Sequence, residues 1–290
     1  MSQTPLAREI FGAHFNNPIL LAAGTAGYGR ELDGVVDLES LGGIITKAVS
    51  REPRDGNPSP RVAEFEGGML NAIGLANPGL QQVLAQELPW LARRLRRARV
   101  IVNVVGFTED EYVEVVRGLE DAPGITALEL NLSCPNTSRG GIEFGADGPS
   151  LRRVVERCRA VTRRPLIAKL SPALADIPAM AIIARDAGAD GVSLVNTLPG
   201  LLYGSRGAAR LGNGHGGVSG PALLPVGVLA TRRVAERAPG LPIIGVGGVR
   251  TAEDVQQYLQ AGASLVAIGT AALADPRLPE RLVSELESLG

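Results

Sequence analysis

The stretch PIIGVGGVRTAEDVQQYLQAGASLVAIGT at residues 242–270 decides the fold class. Two short apolar runs of β-forming residues, 242–246 and 265–268, enclose a segment with helical signals. The sequence TAED at 251–254 is typical of a helix start, and AGAS at 261–264 is typical of a helix end. A strand, a helix and a second strand in this order predict two parallel strands.

The same strand–helix unit recurs along the whole chain. Helical patterns fill the gaps between the strands, as where Thr108 and Glu111 open one helix with a capping box. Eight such units predict an α/β fold, a single (β/α)8 TIM barrel forming one domain over residues 1–290. The apolar strand patterns lie at 18–22, 43–46, 100–104, 127–131, 166–170, 191–195, 242–246 and 265–268.

Two insertions, 47–78 and 197–221, are rich in Gly, Pro and Asn. Loops of this length on a compact barrel usually cover a functional site. In barrels of this class the active site lies at the carboxyl ends of the strands. We therefore expect both inserted loops to lie over that mouth.

Composition excludes several classes of function. The net charge of −1 gives no support for binding to nucleic acid or to a membrane surface, and the basic run 93–99 is the solvated end of a predicted helix. No apolar window of 18 residues predicts a membrane span, and residues 1–15 lack the pattern of a signal peptide. Two cysteines are too few for a disulfide framework, and no Cys/His cluster has metal-ligand spacing. These features favour a cytoplasmic protein without a bound metal.

Polar or small residues follow the predicted strands, where a barrel would bring them together. This predicted ring offers two cations, three amides and one thiol, with almost no carboxylate. Its members are Lys47, Asn103, Asn131 with Cys134, Lys169, Asn196 with Thr197, Gly247 with Gly248, and Gly269 with Thr270.

The last two strand ends predict a phosphate-binding site. GVGG at 245–248 and IGTA at 268–271 each place small residues where a helix begins, so that bare backbone N–H groups can bind an anion. Glycines that only form turns are the alternative. Barrels commonly use the loops after strands seven and eight for phosphate, which favours binding.

Lys169 and Lys47 each have several possible roles. Lys169 could extend its charge out of the core, form a Schiff base, or supply a fixed positive charge beside a ring that becomes anionic on reduction. Together with a phosphate site and several amides, the two lysines favour a flat cofactor and substrate rich in heteroatoms. Asn71, Asn131, Asn196 and Thr197 can both donate and accept hydrogen bonds, which suits a cyclic ureide such as a dihydropyrimidine.

Cys134 lies just past a strand end, in the sequence ELNLSCPN at 129–136. A thiol serves as a general base when nearby cations or dipoles lower its pKa. A buried structural cysteine is the alternative, but the position at the mouth favours catalysis. Cys158 lies on a predicted helix, where the structural interpretation holds.

At these residues the chain resembles the dihydroorotate dehydrogenases, and more specifically their class 1B. The matching segments run in order over nearly the whole sequence: GTAGYG (24–29), TK (46–47), RDGNPSPR (54–61), GMLNAIGLANPG (68–79), ELNLSCPN (129–136), GGIEFGAD (140–147), AKLSP (168–172), AGADGVSLVNTL (187–198), GGVSGPA (216–222), PIIGVGGVRTAEDV (242–255) and AGASLVAIGTA (261–271). The resemblance implies an FMN-containing barrel that oxidises (S)-dihydroorotate to orotate in pyrimidine synthesis.

The resemblance also implies a role for each matched residue. Cys134 matches the catalytic base, which removes a proton from ring carbon 5 while a hydride leaves carbon 6 for the flavin. Substrate contacts are implied for Lys47, Asn71, Ala72, Ile73, Gly74, Leu75, Asn131, Asn196 and Thr197, with 72–75 contributing backbone. Flavin contacts are implied for Ala23, Gly24, Lys47, Ala48, Asn103, Asn131, Lys169, Val195, Gly220, Gly247, Gly248, Gly269 and Thr270. Ala23 and Ala26 depart from a family pattern that often has serine and phenylalanine there, so the backbone rather than a side chain is expected to contact the flavin at this point.

Class 1B also implies partners. Its members pair with a second subunit that carries FAD and a [2Fe–2S] cluster and passes electrons to NAD+. This chain has neither four cysteines for a cluster nor a GxGxxG motif after a first strand. The resemblance therefore implies a homodimer that assembles with such a subunit into a heterotetramer.

Several alternatives stay open. A class 1A-like homodimer would use fumarate, and a dihydropyrimidine dehydrogenase-like enzyme would need its base cysteine within 140–147, where this chain has none. A flavin-free aldolase or synthase would use Lys169 as a Schiff base. A non-catalytic barrel scaffold would not need an intact polar ring. The segment 199–217 diverges from the family, and its His215 is interpreted as a loop residue.

Overall fold

Eight parallel strands close into a barrel in the computed structural model, which describes residues 6–132 and 144–289. Each strand pairs with its sequence neighbours, and the last closes on the first, so the predicted (β/α)8 barrel is confirmed. The predicted strand positions agree with the observed ones to within two residues. The strands are β1 (Ile19–Leu21), β2 (Gly43–Ile45), β3 (Arg99–Val104), β4 (Ile125–Asn131), β5 (Leu166–Leu170), β6 (Gly191–Leu194), β7 (Ile243–Val246) and β8 (Leu265–Ile268).

Helices lie between the strands and after the last one. The first, α1, contains a π-helical turn where Pro89 cannot donate a regular helical hydrogen bond, a feature that apolar spacing does not reveal. The helices are α1 (Leu80–Gln82, Val83–Glu87 and Leu88–Arg94), α2 (Glu109–Leu119), α3 (Gly148–Arg159), α4 (Ile177–Asp186), α5 (Leu224–Arg237), α6 (Ala252–Ala261), α7 (Thr270–Ala274) and α8 (Leu278–Leu289). Short 3-10 turns lie at Arg30–Leu32, Leu38–Ser40 and Pro221–Leu223.

The helix ends follow the signals in the sequence. The Thr251 hydroxyl accepts a hydrogen bond from the Asp254 N–H, and the Asp254 carboxylate accepts one from the Thr251 N–H, which completes a capping box at the start of α6. Gly262 ends that helix in the left-handed conformation. At α2 the Thr108 hydroxyl accepts from Glu111 N–H as expected, but the Glu111 carboxylate accepts from Phe107 N–H instead of Thr108.

The strands bury both of their faces, which explains their nearly continuous apolar sequences. Side chains on one face pack against the helices, as Leu128 and Leu130 of β4 do. Side chains on the other face fill the barrel interior. The interior cluster contains Leu20, Ala22, Ile45, Ile101, Ala127, Ile167, Ile244, Val246, Leu265 and Ala267.

The amino ends of the strands are covered by a hairpin of two strands, Arg8–Ile10 and Ala13–Phe15. Phe15 is fully buried in the interior cluster, and Phe11 packs against the same cluster. A Cβ atom on Gly191, at the start of β6, would lie 2.8 Å from the Phe11 ring. Apolar packing thus closes the barrel at the amino ends of its strands. A functional site can therefore open only at the carboxyl ends.

At the carboxyl ends, the two long insertions form a four-stranded antiparallel sheet, which we call the mouth sheet. The sequence predicted loops here, so the prediction missed these strands. The mouth sheet has the order Leu198–Gly200, Gly216–Ser219, Gly68–Asn71 and Val62–Phe65. Its strands are three or four residues long, and one of them starts with two glycines, so their sequence signal is weak.

None of the helices within residues 6–132 and 144–289 has the length and apolar character needed to cross a lipid bilayer.

Candidate active site

A cavity of about 630 Å³ opens at the carboxyl ends of the barrel strands and extends beneath the mouth sheet. Its volume is in the range typical of cofactor and small-molecule sites. The structure brings together around it the predicted residues Ala23, Gly24, Lys47, Ala48, Asn71, Ile73, Gly74, Leu75, Asn103, Asn131, Lys169, Val195, Asn196, Thr197, Gly220, Gly247, Gly248, Gly269 and Thr270.

One predicted residue in the described part of the chain, Ala72, is not among those that line the cavity. Ala72 is fully buried in a small cluster with Leu70 and Leu211. Its N–H donates to the Arg61 carbonyl at 2.8 Å, and its carbonyl accepts from Asn57 Nδ2 at 3.2 Å. The backbone of Ala72 therefore stabilises the insertion. Cys134 lies outside the described residues.

The β7 and β8 ends form one part of the cavity wall. The N–H groups of Gly248, Gly269 and Thr270 donate no hydrogen bond to any other residue that the structure describes. Gly248 has φ +79°, and a Cβ atom there would lie 2.4 Å from the backbone nitrogen of Leu224, at the start of α5. Only glycine fits this turn, and the free N–H groups are suited to bind an anion.

Three buried tyrosines fix backbone carbonyls around the cavity. Tyr258 donates to the Gly247 carbonyl at 2.8 Å, Tyr112 to the Asn131 carbonyl at 2.6 Å, and Tyr28 to the Ala48 carbonyl at 3.0 Å. Burial raises the pKa of the Tyr258 and Tyr28 hydroxyls far above the ordinary tyrosine value, so both stay protonated donors. The three tyrosines do not line the cavity themselves, but each fixes the backbone of a residue that does.

Amides gather at another part of the wall. Asn196 Nδ2 lies 3.4 Å from Asn131 Oδ1, and Thr197 N–H donates to Asn196 Oδ1 at 2.8 Å. Asn71 Nδ2 donates to the Gly217 carbonyl at 3.2 Å, a hydrogen bond between two neighbouring strands of the mouth sheet. These side chains come from two barrel strand ends and one insertion.

The two lysines of the ring differ in their surroundings. Lys169 is 6% exposed, and its Nζ lies 3.5 Å from Glu129 Oε1 on the adjacent strand. Lys47 is half-buried and has no ion pair with any acidic side chain in the described part of the chain. Of the two, Lys47 is therefore the lysine whose charge is not paired with a carboxylate among the described residues.

Sequence reasoning missed several residues of this site. Arg250, exposed just before α6, lines the cavity beside the glycines. Its position directly after GVGGV could have indicated a cation at the predicted phosphate site. Ser219 of the mouth sheet accepts a hydrogen bond from Thr270 Oγ1 at 2.8 Å, a pairing that the sequence does not reveal. Glu129 does not line the cavity but contacts Asn103 and Lys169, and sequence reasoning missed it because it lies within an apolar strand pattern.

Residues with no predicted role lie elsewhere. Cys158 of α3 is buried, and burial raises the pKa of its thiol to about 12. His215 is exposed in the insertion before Gly216 and does not line the cavity.

The fold and the cavity define a class of protein: a (β/α)8 barrel with a glycine-rich turn suited to an anion and a pocket at its mouth that carries several amide side chains. Comparison with known proteins agrees with this class and narrows it. The family model described as dihydroorotate dehydrogenase matches residues 5–289. The chain belongs to the dihydroorotate dehydrogenase family.

Three curated relatives are similar over nearly their whole length. The catalytic subunit of dihydroorotate dehydrogenase B (NAD(+)) of Geobacillus kaustophilus is 47% identical over 285 residues, covering 98% of this chain and 90% of that protein. The protein of the same name from Listeria monocytogenes is 46% identical over 282 residues, covering 97% and 92%. A putative dihydroorotate dehydrogenase A (fumarate) of Solibacter usitatus is 47% identical over 282 residues, also covering 97% and 92%.

The cavity residues fit the FMN that this family uses. The free N–H groups at the β7 and β8 ends suit its phosphate. Asn103 is fully buried, and its Oδ1 has no hydrogen-bond partner among the described residues, although Asn103 lines the cavity. A buried acceptor without a partner is costly, so this oxygen is suited to a ring N–H of a ligand. A Cβ atom on Gly24 would meet nothing within 4 Å, which leaves room against that backbone.

Proposed function

We propose that the chain oxidises (S)-dihydroorotate to orotate with FMN held in the mouth cavity, as a step of pyrimidine biosynthesis. The observation that carries the proposal is the gathering of the strand-end ring around one cavity in a chain of this family. Cys134, as a thiolate, takes the proton from ring carbon 5, and the carbon–carbon double bond of orotate forms. FMN, when bound, accepts the hydride that leaves carbon 6.

The chain's residues divide this work between them. Gly247, Gly248, Gly269 and Thr270 hold the FMN phosphate through backbone N–H groups. Asn103 and Lys169, which line the cavity, would hold the flavin ring, and the lysine charge would favour its reduced, anionic form. Asn71, Asn131, Asn196 and Thr197 orient the substrate ring through its carbonyl and N–H groups. Lys47, which has no ion pair within the described residues, binds the carboxylate of the substrate.

The proposal also names the acceptor that takes the electrons from the reduced flavin. Two of the relatives reported above are named for NAD(+) and one for fumarate. We favour NAD+, reached through a partner subunit that carries FAD and a [2Fe–2S] cluster, with two copies of each chain in the assembly. A class 1A-like homodimer using fumarate is the second candidate, which the Solibacter relative favours. The proposal includes a cytoplasmic location, supported by a cysteine content too low for a disulfide framework.

An absorption spectrum tests the central claim. The purified chain is reconstituted with FMN and recorded before and after anaerobic addition of dihydroorotate. We expect oxidised-flavin bands that bleach on addition. Bands that persist would contradict the substrate assignment, and failure to take up FMN would contradict the oxidoreductase assignment. A colourless protein in which borohydride fixes an aldehyde or ketone substrate covalently to Lys169 would instead support the aldolase alternative.

A further inference from the structure

Glu129 is an ionisable residue inside the barrel that the proposed mechanism does not use. It lies on β4 between Ala127 and Asn131, on the face that points into the barrel, and it is fully buried. It does not line the cavity. A fully buried carboxylate is rare and costly unless paired, so its contacts should explain its presence.

Both polar contacts of Glu129 lead to the cavity wall. Its Oε1 accepts a hydrogen bond from Asn103 Nδ2 at 2.7 Å and lies 3.5 Å from Lys169 Nζ. Asn103 is directly opposite Glu129 on the adjacent strand β3, and Lys169 lies on β5 on the other side. Glu129, on the middle of three adjacent strands, therefore connects two cavity-lining residues, one on each neighbouring strand.

The second carboxylate oxygen of Glu129 is buried as well. Oε2 is buried without a hydrogen bond to any residue in 6–132 or 144–289. Stability alone accounts poorly for this arrangement, because replacing a buried ion pair with apolar side chains is often neutral or stabilising. The carboxylate has a clear electrostatic consequence, however, since charges in a buried site are weakly screened.

We propose that Glu129 is a positioning residue that holds Lys169 and Asn103 in place and offsets part of the lysine charge that the flavin experiences. The inference rests on the proposed function, in which FMN occupies the cavity. Lys169 alone would strongly favour negative charge on the ring. The carboxylate of Glu129 limits that effect, so the reduced flavin is stabilised without being trapped and can pass its electrons on.

Sulfite binding to the oxidised, FMN-loaded protein tests this role without turnover. Sulfite donates its lone pair to ring nitrogen N5, forms a sulfur–nitrogen bond and leaves negative charge on the flavin. Its affinity therefore reports the positive charge near the ring. Glu129→Gln keeps the acceptor for Asn103 and nearly the same volume but removes the negative charge. We expect the sulfite dissociation constant, measured by bleaching at fixed pH, to fall about tenfold or more.

A matched control is available on the other end of the barrel. Glu120 follows α2, before the amino end of β4, and accepts hydrogen bonds from the Thr162 hydroxyl and the Arg163 N–H. Glu120→Gln makes the same change in net charge away from the mouth. We expect it to leave sulfite binding at the wild-type level.

Unchanged or weakened sulfite binding in Glu129→Gln would overturn the inference. If that variant fails to fold or to retain FMN, Glu129→Asp replaces it, because the shorter carboxylate is withdrawn from Lys169. We expect Glu129→Asp to bind sulfite severalfold more tightly than wild type, and equal affinity would again overturn the inference. The wild-type spectrum separates the two proposals. If the wild-type protein takes up FMN and bleaches with dihydroorotate while the variants bind sulfite as wild type does, the role proposed for Glu129 is wrong and the proposed function stands. If the wild-type protein takes up no FMN, both proposals are wrong.

Discussion

The two cysteines of the chain should differ widely in reactivity. Burial raises the pKa of the Cys158 thiol to about 12, so at pH 8 only about one molecule in ten thousand carries the thiolate there. Cys134 is proposed to act as a base near neutral pH, which requires a much lower pKa. We expect iodoacetamide at pH 8 to modify Cys134 and leave Cys158 unmodified until the protein is unfolded.

Peptide mass spectrometry after a time course of alkylation checks this prediction. Addition of orotate, the product, should slow modification of Cys134, since the bound orotate ring would lie against the thiol. Equal labelling of the two cysteines in the folded protein would contradict the assignment of Cys134 as the base.

Arg250 is a second residue whose role can be isolated. Its position beside the free N–H groups at the β7 and β8 ends places a cation near the proposed phosphate site. A charge-assisted hydrogen bond of this kind contributes about 1.5–3 kcal/mol. We expect Arg250→Gln to weaken FMN binding by about tenfold or more while leaving riboflavin binding unchanged, as measured by flavin fluorescence titration.

The control for Arg250 is Arg232 of α5, an exposed arginine paired with Glu236 on the same helix. Arg232→Gln removes the same charge away from the cavity and should leave both flavin affinities unchanged. A parallel loss of FMN and riboflavin affinity in Arg250→Gln would argue against a phosphate contact.

At the scale of elements, the turn after β7 depends on helix α6. Tyr258 of α6 is fully buried and donates to the Gly247 carbonyl, so the helix fixes the backbone of the anion-binding turn. Tyr258→Phe keeps the ring and removes this bond. We expect the free energy of unfolding to fall by about 1–2 kcal/mol and FMN affinity to fall severalfold. Denaturant titration and flavin titration measure the two effects.

Tyr203, which is 65% exposed in the insertion after β6, provides the control. Tyr203→Phe removes the same hydroxyl from a solvated position and should change neither quantity. If Tyr258→Phe lowers stability but leaves FMN affinity intact, the turn does not depend on this helix.

Much of the barrel could be predicted from sequence because its parallel strands bury both faces. Runs such as LIAKL at 166–170 are therefore almost continuously apolar, and their polar ends mark the mouth. The mouth sheet could not be predicted in the same way. Its strand Gly216–Ser219 pairs with Gly68–Asn71, nearly 150 residues away, and glycine carries little strand propensity.

The site shows the same division between local and long-range information. Strand-end residues such as Lys47 and Asn196 could be identified because a barrel converts position along a strand into position at the mouth. Glu129 could not, since its partners come from two other strands and its own strand reads as apolar. Ala72 was expected to contribute backbone to the substrate wall, yet both its backbone groups bond within the insertion.

At the scale of the whole molecule, electrons from dihydroorotate must leave this chain for an acceptor. The sequence holds two cysteines, too few to ligate an iron–sulfur cluster, so under our proposal NAD+ is reached only through another subunit. We expect the isolated, FMN-loaded chain to be reduced by dihydroorotate but to form no NADH with NAD+. An artificial acceptor such as ferricyanide serves as the control and should sustain turnover. Rapid NADH formation by the chain alone would contradict the need for a partner, and rapid turnover with fumarate would favour the class 1A-like alternative.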